Sequence, residues 1–101
     1  MYARLVQVHG STIIDLEKEL VIIGRHTGCD VVPSDPAVSA HHCQLLRSPD
    51  GKWSVKDLGS RNGIWVNGIQ VTESEVNPRD ELWFSKHCRF RLEAPHRGSI
   101  A

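Results

Sequence analysis

The sequence predicts an all-β fold, an antiparallel sandwich of short strands whose loops gather at one end. Three observations lead there. Apolar runs are short and alternate with polar neighbours, turn residues recur at close intervals, and almost nowhere does the spacing suit a helix of useful length. Many short strands with frequent turns are the pattern of a sandwich, because each strand has one face to bury and packs it against a second sheet.

Taken in order, Ala3 to Val8 and Leu20 to Ile23 are β-rich runs, separated by the turn signal His9-Gly10-Ser11. Ile13 to Leu20 also carries the spacing of a short helix, a second-ranked reading because the segment is short and uncapped. After Gly24-Arg25 comes a loop, His26-Thr27-Gly28, and then the run Cys29 to Val32, which Pro33 stops because proline cannot donate to a ladder. Pro33 to Pro36 is irregular. Ser39-Ala40-His41-His42 opens a strand in which Cys43 and Leu45 alternate with His42 and Gln44. The turn Ser48-Pro49-Asp50-Gly51 then leads to Trp53 and Val55, completing a hairpin.

Asp57 to Gly68 concentrates the turn chemistry. It holds two Asn-Gly pairs, Asn62-Gly63 and Asn67-Gly68, flanking the very short strand Ile64 to Val66. Ile69 to Val71 follows, then a polar connection ending in Asn77-Pro78-Arg79-Asp80. Two closing strands carry Leu82/Phe84 and Cys88/Phe90/Leu92 around Ser85-Lys86-His87. The count comes to about ten strands. The domain is expected over residues 1–93, and residues 94–101, with Pro95-His96-Arg97-Gly98-Ser99, read as a frayed tail or the start of a linker into a larger protein.

A chain of 101 residues suits one domain, and 12 Lys plus Arg against 12 Asp plus Glu leaves no net charge to draw nucleic acid or a membrane surface. Any anion site must be local. Three cysteines, an odd number without close pairing, and the lack of an apolar segment before the first strand favour a reducing, cytoplasmic setting, or a nuclear one if the source is eukaryotic. No metal site is expected. His42-Cys43 and His87-Cys88 are neighbours on strands and point to opposite faces, and Cys-x-x-Cys spacing is absent. No cofactor is called for. Catalysis is not expected either: Ser39 with His41 or His42 and Asp57 supplies the residue types for acyl transfer, but no Gly-x-Ser-x-Gly elbow surrounds Ser39.

The polar residues at strand ends carry the chemistry. In an antiparallel sandwich the loops after Gly24, before His42 and around Asn62 meet at one end, bringing together Arg25, Ser39, His41, Arg61 and Asn62, with His26 beside Arg25. Such a set suits a dianion. A phosphate monoester carries about −1.5 to −2 charge and three strong acceptor oxygens, which an arginine fork, a hydroxyl and loop amides can meet. A carboxamide such as that of Asn62 both donates and accepts, and so pairs with an extended peptide backbone.

Gly24-Arg25, Val38-Ser39-Ala40-His41-His42, Asp57 to Gly63 and Val66-Asn67-Gly68, in this order and spacing, resemble the signature of the forkhead-associated (FHA) domain. The resemblance covers roughly Leu20 to Leu92. It implies a twisted antiparallel β-sandwich of about eleven strands that binds phosphothreonine peptides in signalling without catalysis. Arg25 and Ser39 fall on that family's phosphate contacts, Arg61 beside them, and Asn62 on the contact to the peptide backbone. His26 and His41 are peripheral candidates. Gly24, His42, Gly63, Asn67 and Gly68 fall on scaffold positions, His42 bracing the loops by hydrogen bonds. The sequence departs from the family pattern at several places. Ala40 stands where many members have a polar residue, Arg61 where Thr or Ser is frequent, Pro33 where an apolar residue is expected, and Arg79 and Ser85 where glycine is common. The loss at Ala40 supports an alternative, a degenerate domain that binds an unphosphorylated partner or self-associates through a sheet face. Trp65 and Trp83, out of phase with their apolar neighbours, are its anchors.

Overall fold

A computed structural model describes residues 2–94. The chain forms ten strands: β1 (Ala3–Gln7), β2 (Ile13–Leu16), β3 (Leu20–Ile23), β4 (Cys43–Arg47), β5 (Trp53–Asp57), β6 (Ile64–Val66), β7 (Ile69–Val71), β8 (Glu73–Val76), β9 (Glu81–Ser85) and β10 (Cys88–Glu93). They build a six-stranded sheet in the order β2-β1-β10-β9-β6-β7 and a four-stranded sheet in the order β3-β4-β5-β8. Every ladder between named strands is antiparallel.

Alternation decides which face each strand buries. Ala3 and Leu5, Val21 and Ile23, Cys43 and Leu45, Trp53 and Val55, Leu82 and Phe84, and Phe90 and Leu92 point inward and meet in one core. Each fully buried Leu or Phe contributes about 1.5–3 kcal/mol through the apolar area it removes from water. Phe84 and Phe90 lie centrally, with ring centroids 5.9 Å apart. Cys29, Cys43 and Cys88 are buried free thiols. Burial pushes the Cys88 thiol up to about 11 and raises Cys43 as well, which suits small apolar packing residues rather than nucleophiles. Among the described residues no group of three or more His, Cys, Asp or Glu is placed to hold a metal ion, and no helix is long and apolar enough to cross a membrane.

Several expectations change. At Ile13–Leu16 the second-ranked helix reading falls and an edge strand forms, because pairing with β1 buries Leu16 and satisfies the backbone. The run Cys29 to Val32 shrinks to one parallel bridge between Ile23 and Val31, while the sandwich itself stands, its ten strands matching the count of about ten and close to the eleven that the resemblance implied. The segment Ser39 to His42 is a turn, and its strand starts at Cys43. Glu73–Val76, expected to be connection, pairs with β5 as the edge of the smaller sheet. Residues 95–101, most of the expected tail, lie outside the described residues.

Two carboxylates pin the irregular segment between β3 and β4. Asp30 accepts the Ile22 amide at 2.9 Å and Lys18 at 2.8 Å, while Asp35 accepts the Ser85 hydroxyl and, at 2.9 Å, the Ala37 amide. These bonds hold both carboxyls below the usual carboxylate range, the Ile22 amide being the largest influence on Asp30 and the Ser85 hydroxyl on Asp35. A carboxyl whose folded pKa is lowered contributes stability that is present above its unfolded value, about pH 4, and lost as pH falls through the lower folded value. The melting temperature should therefore drop below about pH 4. The double variant Asp30→Asn/Asp35→Asn should melt lower at pH 7 and show a flatter acid limb; an acid limb as steep as the parent's would contradict these roles.

Candidate functional site

The site starts from a close approach of two backbones. After β3 the chain turns out at Gly24 and returns through Val38 to His42. The two passes are tied by Arg25 N–H to Ser39 C=O (3.0 Å), His26 N–H to Ala40 C=O (3.1 Å) and His42 N–H to Ile23 C=O (2.8 Å). Gly24 is needed for space, not for unusual dihedrals. A β-carbon there would lie 2.1 Å from the Ala40 carbonyl oxygen, so no side chain fits.

The loop between β5 and β6 is built by its own polar residues. The Ser60 hydroxyl donates to Asp57, an Asx-type turn, and accepts the Gly63 amide at 2.9 Å. Gly63 takes φ +90°, whereas Asn62 keeps a negative φ, so Asn62 is not present to supply a left-handed residue.

Three hydrogen bonds then stitch the two loops together. Fully buried His42 accepts the Ser39 amide at Nδ1 (3.0 Å), so Nε2 carries the proton and donates it to the Gly63 carbonyl (2.8 Å). The Ser39 Oγ accepts the Arg61 amide at 2.9 Å. The Asn62 Nδ2 donates to the Ala37 carbonyl at 2.9 Å. Arg25 is steered by its Nε, which donates to the Val38 carbonyl. Phe84 packs edge-on against His42 at 6.1 Å.

The stitched loops present Arg25, Arg61, Asn62 and partly buried Ser39 on one exposed face. Among the described residues neither arginine forms an ion pair. Nearby carboxylates are engaged by other partners, Asp57 by Ser60, Asp30 by the Ile22 amide and Lys18, and Asp35 by Ser85. His26 and His41 stack at the rim with centroids 5.1 Å apart, and the His26 Nδ1 accepts the Gly28 amide. This face can receive an anion. It cannot run a serine triad through His42, because both ring nitrogens already serve the backbone.

The structure thus brings Arg25, Ser39, Arg61, Asn62, His26 and His41 together around Gly24, His42 and Gly63. It places Asn67 and Gly68 elsewhere, in the turn at the far end of β6, with φ of 52° and 84°. There the Asn67 side chain bonds Asp80 and the Glu81 amide, and it supports the site only by setting the register of β6. Trp65 and Trp83 are half-buried cross-strand partners, 6.4 Å apart, on the outer face of the larger sheet. The carbonyl anchors Ala37 and Val38 left no signal in the sequence, because any residue offers a carbonyl.

The FHA domain family model matches residues 21–85. The oxoglutarate dehydrogenase inhibitor of Corynebacterium jeikeium is 35% identical over 77 residues, covering 76% of this chain and 51% of that protein. The glycogen accumulation regulator GarA of Mycobacterium tuberculosis is 30% identical over 83 residues, covering 82% of this chain and 51% of its own. The chain spans about half the length of these curated relatives. The N-terminal FHA domain of S. cerevisiae Rad53p, solved with a phosphothreonine peptide, matches with a TM-score of 0.84 at 21% identity over 94% of each chain, a likeness of fold.

If the stitching is as described, Gly24→Ala should cost about 1–3 kcal/mol by overpacking. His42→Ala should cost about 2–4 kcal/mol, leaving a cavity and two unpaired backbone groups. Urea denaturation measures both; a loss under about 0.5 kcal/mol, the range of ordinary surface changes, would show that the position is not a brace.

Proposed function

This chain belongs to the forkhead-associated (FHA) domain family, and from that premise we propose that it is a phosphothreonine-dependent peptide-binding module that joins proteins in signalling, without catalysis. The observation that carries this reading is the face of two unpaired arginines held by interlocked loops. The Rad53p domain of the same fold was solved with a phosphothreonine peptide, which supports the ligand class.

Each residue has an assigned part. With Nε engaged by the Val38 carbonyl, Arg25 directs its two terminal amino groups at the phosphate as a fork. Ser39 accepts from the Arg61 amide and still has its own O–H to donate. Arg61 adds charge from the facing loop. One Asn62 N–H is fixed by Ala37, so its carbonyl oxygen and second N–H meet the backbone of an extended peptide. Ala40 contributes a methyl group and no polar contact. His26 and His41 form the rim. Two or three charge-assisted bonds at about 1.5–3 kcal/mol each sum to about 3–9 kcal/mol, so after the ordering of the peptide the affinity is micromolar at best unless neighbouring residues add contacts. The setting is cytoplasmic, within a larger protein.

A phosphothreonine peptide library should yield binders that the matching phosphoserine and unphosphorylated peptides do not reproduce; equal binding of all three would end this reading. Arg25→Ala should weaken the best binder about 10–100-fold, the loss of one charge-assisted contact. Asn62→Ala should weaken it about tenfold and, through the lost bond to Ala37, lower stability by about 1 kcal/mol. Calorimetric titration and thermal melts separate the two effects. Full affinity in the Arg25 variant would remove it from the site.

A further inference from the structure

We infer that the binding end carries a second anion-binding groove, between the β1–β2 and β9–β10 turns, which takes an acidic side chain of the same peptide. The inference rests on the phosphothreonine reading for its ligand, while the groove itself stands on its own geometry. Gln7, Val8, His9, Lys86, His87 and Arg89 line an opening of about 380 Å³ that contains no carboxylate. In a chain with no net charge, this is a local concentration of cationic and titratable side chains.

Arg89 is held in place for such a role. Its Nε donates to the Lys86 carbonyl at 3.0 Å, and its guanidinium carbon lies 3.7 Å from the centre of the Trp83 ring. Trp83 is in turn fixed by its Nε1, which donates to Glu81 at 3.1 Å. A backbone bond and an aromatic ring thus orient the arginine, and its terminal amino groups remain for a carboxylate fork. Lys86 and His87 are exposed at the turn, and His9 sits at φ 62° on the facing one. The neighbouring Asp35 points its carboxylate at Ser85 and Ala37.

Topology puts the groove within reach of a peptide on the phosphate face. Trp65 pairs with Trp83 and Val66 with Leu82, so the start of β6, just after Asn62, is level with the end of β9. In the order β1-β10-β9-β6, with strands about 4.8 Å apart, the groove lies about 10–15 Å from that point. An extended chain rising about 3.3 Å per residue covers this in about three to five residues. Charges this far apart are screened at physiological salt, where the Debye length is about 8 Å, so any gain requires direct contact.

The test scans Glu against Gln at each position up to six residues on either side of phosphothreonine, by calorimetric titration of the 101-residue chain. Glu should exceed Gln about 3–10-fold, as a partly screened ion pair allows, at a position three to five residues away. This ratio should fall to about one in Lys86→Ala or Arg89→Gln. A ratio near one at every position, or one that persists in both variants, overturns the inference. An unphosphorylated hexaglutamate peptide, followed by amide chemical shifts, checks the groove independently of phosphate. Shifts at Gln7 to His9 and Lys86 to Arg89 support it, and their absence overturns it. If the parent phosphopeptide binds no better than its unphosphorylated twin, the phosphothreonine reading fails and the shift titration alone decides the groove.

Discussion

The binding end depends on one buried imidazole. His42 accepts from the Ser39 amide and donates to the Gly63 carbonyl, so a single rigid ring spans the gap between the β3–β4 loop, within the smaller sheet, and the β5–β6 loop, which crosses from it to the larger one. Among neutral side chains a histidine is well suited to this, because its two nitrogens take opposite roles on opposite edges. A buried polar group without partners costs about 1–3 kcal/mol, so either bond alone would leave the ring poorly satisfied and together they lock its orientation. The neighbouring links, Ser39 to Arg61 and Asn62 to Ala37, are more exposed and individually weak. They hold because the buried link has already fixed the distance between the loops.

That order of dependence explains how a site made of loops can be rigid. Loops are ordinarily the mobile part of a fold. Here each is short of freedom for a different reason: the β3–β4 connection is clamped by the Gly24 approach and by Asp30 and Asp35, the β5–β6 loop by Asp57 and Ser60. The carboxylates that do this pinning are engaged by these bonds. Among the described residues neither Arg25 nor Arg61 forms an ion pair, although Asp57 and Glu73 line the opening beside Arg61, so both guanidinium groups keep their charge uncompensated by direct contact.

Much of this was legible in the sequence, and the exceptions have physical reasons. The central strands were clear because both faces of the pattern were populated: Cys43 and Leu45, Trp53 and Val55, Phe90 and Leu92 alternate with polar residues and are buried as the alternation requires. The edges were not. Glu73-Ser74-Glu75-Val76 buries one side chain and otherwise looks like a loop, since an edge strand can be held by its backbone ladder alone and is protected from further pairing by charge. At Ile13 and Ile14 the spacing kept a helix open as the second-ranked reading, because the contact that rules it out, β1, is tertiary. At the site, the side chains could be named from their types and order. Their partners could not, because Ala37, Val38 and Gly63 act through carbonyls that every residue has. Gly24 was placed on the scaffold by the resemblance, but the reason for it was hidden, since crowding by Ala40 leaves no trace in a dipeptide.

The two kinds of contact at this end of the sandwich are therefore under different constraints. Residues proposed to meet the ligand are tied into the brace, and changing them disturbs bonds between the loops as well; Ser39 and Asn62 each hold the facing loop through a side-chain bond. Side chains on the β1–β2 and β9–β10 turns have no part in that brace. Lys86 is exposed, and Arg89 rests on Trp83 and on a carbonyl that would remain after any substitution at position 86. On the proposed reading, substitutions there change which peptide is favoured at little cost to the fold, because the residues proposed to select are separate from the residues that hold the loops together.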